Sequence, residues 1–387
     1  MKQKQDTLIV TLGRDPEANF GFVNPPVYHG STILHPTYRV LKERAQPFTY
    51  GRRGTPTTVA LQETVAGLEG GHKTVLTPSG LAAVTTALLS HLKTGDHLLM
   101  VDSAYGPTRH FCDTVLKRNG VEVQYYAPRI GAGIAGLLKP NTAVVFTESP
   151  GSVTFEVQDL PAIAKAAHAA GALVILDNTW ASPAFFKPFE HGADISIQAI
   201  TKYLCGHSDV MMGAITANEA TWPATLAGHG ALGQCVAPDD VYLVLRGIRT
   251  LSVRLERHMK TGIALARWLE ARPEVAHVIH PALPSHPDHS IWKRDFTGAS
   301  GLFSIVLKPC SDKALAAMLD HLEFFGMGFS WGGFESLIVP QDIEKIRTAT
   351  SPDHGGPILR IHAGLEDPAD LLADLEAGFT RLTMANG

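Results

Sequence analysis

Short apolar runs alternate along the first two-thirds of the chain with longer stretches in which apolar positions recur every three or four residues. The runs Lys73–Pro78, His97–Val101, Val121–Tyr126, Ala143–Thr147, Leu173–Leu176 and Ile195–Ala199 read as strands. Thr57 to Glu69, Ser79 to Leu89, 106–119, 159–170 and a short piece after Trp180 read as helices. Continuous apolar strands alternating with helices predict an α/β fold with a mostly parallel central sheet covered on both faces. In such sheets ligands sit beyond the carboxyl ends of the strands.

The pattern changes after Arg246-Gly-Ile-Arg-Thr250. One long helix is expected from Ile248 to about Glu270, then a strand over Gly301–Leu307, a helix over 312–325, a strand over Ile358–His362 and a closing helix from Asp367 to Leu382. This predicts a smaller α+β C-terminal domain at 248–387, after a large domain at 51–247. Residues 1–50 show no sustained period, and Asn24-Pro-Pro26 and His35-Pro-Thr37 break helix and strand alike. An arm of this kind packs on something, and in an oligomer that is a neighbouring subunit.

The strand ends collect polar residues. They hold Thr77-Pro-Ser-Gly80, Asp102-Ser-Ala-Tyr105, Glu148-Ser-Pro150, Asp177-Asn178 and Thr201-Lys202. Lys202 follows an apolar strand directly, so it is partly desolvated, which favours a neutral, nucleophilic amine. Taken singly, Asp177 reads as a helix cap and Lys202 as a solvated surface group. Together they are the pair a pyridoxal phosphate site needs: a lysine for the aldehyde and a carboxylate for the pyridine nitrogen. Ser79-Gly80 opens a helix, where free N–H groups and the dipole attract an anion, although Ser79 serves equally as a plain cap. Tyr50, Arg52 and Arg53 lie in a Gly/Pro-rich loop that is either a solvated basic turn or an anion clamp. Tyr105 can stack on a planar ring or be structural. Arg360 points away from its apolar neighbours Leu359 and Ile361; it needs an anion, either a structural carboxylate or that of a substrate.

Composition narrows the field. The chain has 387 residues, 45% hydrophobic and 18% charged, with a net charge of −4. No excess of positive charge argues for nucleic acid or an anionic membrane, and no apolar run approaches the ~20 residues of a membrane helix. The first residues lack the pattern of a secretory signal, and the four scattered cysteines suit a reducing cytoplasm, without disulfide framework or zinc motif. His280, His286 and His289 are close in sequence, but Pro-rich surroundings make an irregular surface loop the better reading than a metal site. No G-x-G-x-x-G follows the first strand, so a dinucleotide site has no support.

Tyr50-Gly-Arg52, Thr77-Pro-Ser-Gly80, Asp177-Asn-Thr-Trp180, Thr201-Lys-Tyr203, Arg246-Gly-Ile-Arg-Thr-Leu251, Ser330-Trp-Gly-Gly333 and Glu335-Ser336 occur in the order typical of one family. On these motifs the chain, from about Val10 to Phe379, resembles the Cys/Met-metabolism family of pyridoxal phosphate enzymes, of aspartate-aminotransferase-like fold. Its β-lyase branch is the nearest match: Glu148-Ser-Pro-Gly-Ser-Val153 replaces Glu-(Ser/Thr)-Pro-x-Asn-Pro, Pro107 stands where methionine γ-lyases carry a reactive Cys, and Gln198-Ala-Ile-Thr-Lys-Tyr-Leu-Cys-Gly-His-Ser-Asp209 has the β-lyase form. Ala199 departs from the usual Ser, which removes one phosphate hydrogen bond and asks more of Thr201. Phe334, Tyr in some relatives, is given no role.

The resemblance implies β-elimination of L-cystathionine to homocysteine, pyruvate and ammonia. It implies Lys202 as cofactor anchor and general base, Asp177 on the pyridine nitrogen and Tyr105 on the ring. Ser79, the Gly80 and Leu81 N–H groups and Thr201 would bind phosphate, with Tyr50 and Arg52 from a neighbouring subunit. Arg360 with Ser336 would bind the substrate carboxylate in a pocket shaped by Trp331, with Tyr50 contributing to catalysis and substrate binding. No metal is implied, and a homotetramer of two active dimers is. Cysteine or cystine desulfhydrase, methionine γ-lyase and cystathionine γ-lyase activities are the alternatives within the family. A cofactor-binding protein without catalysis and a cofactor-free Schiff-base aldolase are those outside it.

Overall fold

The computed structural model describes residues 3–351 and 354–386. Among them, seven strands form the first sheet: β1 Lys73–Thr77, β2 His97–Val101, β3 Glu122–Tyr126, β4 Thr142–Glu148, β5 Leu173–Asp177, β6 Ile195–Gln198 and β7 Gly213–Ala217. The spatial order is β1-β7-β6-β5-β4-β2-β3. Strands β2 to β6 pair in parallel, and β7 runs antiparallel to β1 and β6. β2, β6 and β7 are buried along their whole length, as a sheet covered on both faces requires. β7 was not expected. Its Gly-Ala-Ile-Thr-Ala is too short and small to stand out, yet Gly213 is needed where it is, because a Cβ there would lie 2.3 Å from the Ser79 carbonyl.

The second sheet follows the helix Leu251–Glu270. Its strands, β8 Val275–Ile279, β9 Leu302–Leu307, β10 Leu337–Gln341 and β11 Ile358–His362, lie in the order β10-β11-β9-β8 with every pairing antiparallel. β8 and β10 were missed. β8 carries exposed Ala276 and His277 mid-strand, and β10 contains Pro340, tolerated because β10 is an edge.

Several expected helices have different bounds. The one over 312–325 ends at Leu319, because the Asp374 carboxylate accepts the backbone N–H groups of Glu323, Phe324 and Phe325 and holds them in a turn. The one expected from Ile248 starts at Leu251 and runs to Glu270, and a separate, unexpected helix, Pro238–Ile248, ends just before it. The one over 106–119 is an α-helix, Gly106–Phe111, continued by one π-helical turn, Cys112–Leu116. The arm holds two short helices, Gln5–Thr11 and Tyr38–Glu43. It is pinned at Thr57, whose hydroxyl accepts from Tyr28 N–H and donates to Pro26 O. Yet Phe20 is 95% exposed and Leu34 85%. The His280–His289 stretch is irregular, with Pro284, Ser285 and Pro287 at the surface, but His280 and His286 are buried, and the ring Nδ1 atoms of both accept local backbone N–H groups. Among the described residues no helix is long and apolar enough to cross a membrane.

Candidate active site

Neighbouring parallel strands bring two carboxylates together: Glu148 at the end of β4 is the register partner of Asp177 at the end of β5. Both are pushed above the usual carboxylate range, first by burial, and Glu148 further by the charge of Asp177. Glu148 accepts the Tyr105 N–H at 2.8 Å. Asp177 is offset by donors from Thr179, its N–H and hydroxyl, and by the nearby charge of Lys202. Among the described residues no cationic side chain lies within ion-pair distance of Asp177. A carboxylate hydrogen-bonded only by the neutral donors of Thr179 suits a protonated ring nitrogen.

β6 delivers Lys202. Burial pulls its amine down from 10.5 to about 8, Arg360 adds to this, and Asp177 opposes it. The Nζ donates to Ser330 Oγ at 2.6 Å and lies 5.3 Å from the centroid of the Trp331 ring. Arg360, midway along β11, donates to Ser330 O at 3.1 Å. It is largely buried, and among the described residues it has no carboxylate partner. An unpaired guanidinium in such a place is a site for an incoming anion.

Ser79 caps the helix Gly80–His91 by accepting from Ala82 N–H, and the Gly80 and Leu81 amides, first in that helix, have no intrahelical acceptor. A Cβ on Gly80 would sit 2.5 Å from that of Ala199, so the glycine lets the helix start approach the lysine segment. The Ala199 departure does not free Thr201 for extra work. The Thr201 hydroxyl donates to Met212 O and accepts from Met212 N–H.

The structure thus gathers Lys202, Asp177, Tyr105, Arg360 and Trp331, with the Ser79–Leu81 helix start on the same edge. Ser336 is not among them. It is 1% exposed, its Oγ donates to Glu366 and accepts from Gly364 N–H, and it holds a turn. Ser330 is the serine beside Lys202 and Arg360. It lies in the Ser330-Trp-Gly-Gly333 motif, but only its contacts, and a φ of +92° rare for a non-glycine, single it out. Tyr50 ends the arm and Arg52 follows it in the turn Gly51–Arg53, the Arg52 guanidinium 5.5 Å from the Tyr50 ring, with no hydrogen bond to Lys202, Asp177 or Arg360 among the described residues.

A family model described as "Cys/Met metabolism PLP-dependent enzyme" matches residues 6–380. The chain belongs to this family. Pyridoxal phosphate is therefore its cofactor, and the buried acid, the depressed amine and the open helix N-terminus fit that group. A protein of Rhizobium johnstonii is 54% identical over 97% of this chain and 95% of its own length. Cystathionine beta-lyase MetC of Escherichia coli is 44% identical over 98% of this chain and 99% of its own. An L-alanine/L-glutamate racemase of Wolbachia pipientis is 41% identical over 99% and 98%. Among solved structures, cystathionine gamma synthase of Xanthomonas oryzae in complex with cystathionine superposes with a TM-score of 0.93 at 31% identity, covering both chains fully. The α/β fold with its mostly parallel, helix-covered sheet is that of this family.

Proposed function

We propose that this enzyme is a carbon–sulfur lyase that cleaves L-cystathionine and water into homocysteine, pyruvate and ammonia. The observation that carries the reading is the half-buried Lys202–Asp177–Arg360 arrangement in a chain 44% identical, over 98% of its length, to a cystathionine beta-lyase.

Arg360 takes the α-carboxylate of the substrate by its guanidinium fork. Trp331 and Ser330 close that side. Lys202, its amine lowered to about 8 and so substantially neutral near that pH, removes the α-proton as general base. Bound pyridoxal phosphate would supply the electron sink that makes this proton acidic and allows the β-carbon–sulfur bond to break. Asp177 would hold the pyridine nitrogen protonated and Tyr105 would cover the ring; Ser79 and the Gly80 and Leu81 N–H groups would form the phosphate end, while the Thr201 hydroxyl stays bonded to Met212. Tyr50 and Arg52 complete the site from a second subunit. Supporting this is the arm's exposed apolar surface, including Phe20, Phe22 and Leu34. The assembly is a homotetramer of two such dimers, acting in the cytoplasm on an amino-acid substrate. The chain divides into the arm, 51–247 and 248–387.

A second reading rests on the racemase relative. Racemisation also begins with α-proton removal, but returns the proton to the opposite face. Holoenzyme incubated with L-cystathionine and, separately, L-alanine separates the cases. Pyruvate with free thiol supports β-elimination, 2-oxobutyrate moves the activity to the γ-carbon, and D-alanine without pyruvate favours racemisation.

A further inference from the structure

Beneath Lys202 lie two buried histidines that the proposed chemistry does not use. His258 and His362 are 0% and 1% exposed, with ring centroids 5.1 Å apart and the Tyr203 ring against both. His258 Nδ1 lies 2.7 Å from the Ala363 carbonyl, which only accepts, so this nitrogen carries the proton and Nε2 keeps a lone pair. His362 Nε2 lies 3.1 Å from Gly332 N–H and 3.2 Å from Gly333 O. A single ring nitrogen cannot accept from one and donate to the other.

The remaining nitrogens decide between them. His362 Nδ1 and His258 Nε2 are both buried without a partner. If His362 carries its proton on Nδ1, Nε2 accepts the Gly332 N–H, and Nδ1–H is complementary to the lone pair of His258 Nε2 through one bridging water, the two atoms having no direct hydrogen bond. The opposite tautomer leaves Gly332 N–H unpaired and two lone pairs with no proton between them, which is costly for buried groups. Burial holds both rings neutral, as do Arg254 beside His258 and Arg360 and Lys202 beside His362.

Gly332 is where this pair acts on the site. Its φ is +87°, and a Cβ there would lie 2.9 Å from the Lys202 carbonyl carbon. The turn Ser330–Gly333 is thus pressed on the Lys202 backbone while Ser330 engages the Lys202 amine and the Arg360 guanidinium. We infer that His258 and His362 form a proton-ordered pair that positions the Ser330–Gly333 turn, and through it Lys202 and Arg360. They are positioning residues; neither touches substrate. The inference rests on the reading of Lys202 and Arg360 given above.

Its test has two parts. In histidine-labelled apoprotein, long-range ¹H–¹⁵N correlations should show one neutral histidine protonated on Nδ1 at each of these positions, assigned by loss in His258→Gln and His362→Gln. An Nε2-protonated His362 overturns the inference, and this readout needs no turnover. His362→Phe keeps a ring but no acceptor; His362→Gln restores one for Gly332 N–H. In holoenzyme, the Phe variant should lose at least about tenfold in kcat/KM and shift the pH midpoint of the cofactor–lysine absorbance, with the Gln variant recovering most of both. Phe and Gln variants that differ from wild type in melting temperature alone would reduce the pair to packing. Inactive wild-type protein with the Nδ1 tautomer intact would fault the substrate reading instead.

Discussion

The amine of Lys202 donates to Ser330 Oγ at 2.6 Å, tying the lysine after β6 to a serine at φ +92°. A non-glycine residue held there costs about 1–3 kcal/mol, and the surrounding turn maintains it. Ser330→Ala keeps the backbone and its carbonyl bond to Arg360 but removes the acceptor that fixes the amine. A hydrogen bond between neutral groups contributes about 0.5–1.5 kcal/mol, so kcat for cystathionine should fall about twofold to tenfold, with KM little changed. Steady-state pyruvate release measures this; an unaltered kcat would deny the serine any part in positioning.

Uptake of pyridoxal phosphate by the apoprotein should follow the free amine of Lys202. Its folded value, about 8, lies below the ordinary 10.5. Below about pH 8 the neutral fraction, and hence the uptake rate, rises about tenfold per unit, then levels. For stability the sign follows from proton counts. Between about 8 and 10.5 the unfolded chain binds more protons at this site, so the contribution to stability rises with pH across that window. Absorbance at the cofactor band, followed at several pH values, gives the midpoint. A midpoint near 10.5 would mean that Lys202 is solvated.

Much of this site was legible from local pattern. Strand-end polar residues such as Asp177 and Lys202 follow continuous apolar runs, and the parallel sheet puts those ends on one edge. The hidden parts were those fixed by distant chain. Ser330 meets Lys202 across 128 positions, and Asp374 ends a helix by gathering three amides some 50 positions earlier. Ser336 and Ser330 are indistinguishable as residue types. What separates them is that Glu366 and Gly364 consume one hydroxyl, while the other is aimed at the amine. β7 was invisible because a short, small-residue strand gains its burial from its neighbours.

Arg360→Lys retains a charge and loses the fork. The guanidinium is largely buried, donates to Ser330 O and has no carboxylate of the described chain to neutralise it. A substrate carboxylate is its natural partner. The lysine variant should raise KM for cystathionine about tenfold or more, with a smaller effect on kcat, and Arg360→Ala should go further. Unchanged KM in both would show that the arginine is structural.

Glu69 makes the last prediction, on stability rather than turnover. It ends the helix Pro56–Glu69, is fully buried, and accepts from Ser196 Oγ, Gln198 Nε2 and Asn178 Nδ2. Gln198 also donates to Asn178 O, so this one carboxylate braces the ends of β5 and β6, next to Asp177 and Ala199. Burial pushes its carboxyl up to about 7, against the lowering effect of its donors and Lys187. The folded chain therefore binds the extra proton between about 4.5 and 7, and stability falls as pH rises through that window. Glu69→Gln cannot ionise, and sets an amide N–H₂ against groups that are themselves donors. It should be less stable than wild type near pH 5, by about 1–3 kcal/mol for an unmet buried donor, and the gap should narrow by about pH 7.5 as wild type alone loses stability. Urea unfolding of both proteins at the two pH values decides it. A gap that does not change with pH would mean that Glu69 ionises equally in the folded and unfolded chains, and that its three donors offset the whole cost of burying the charge.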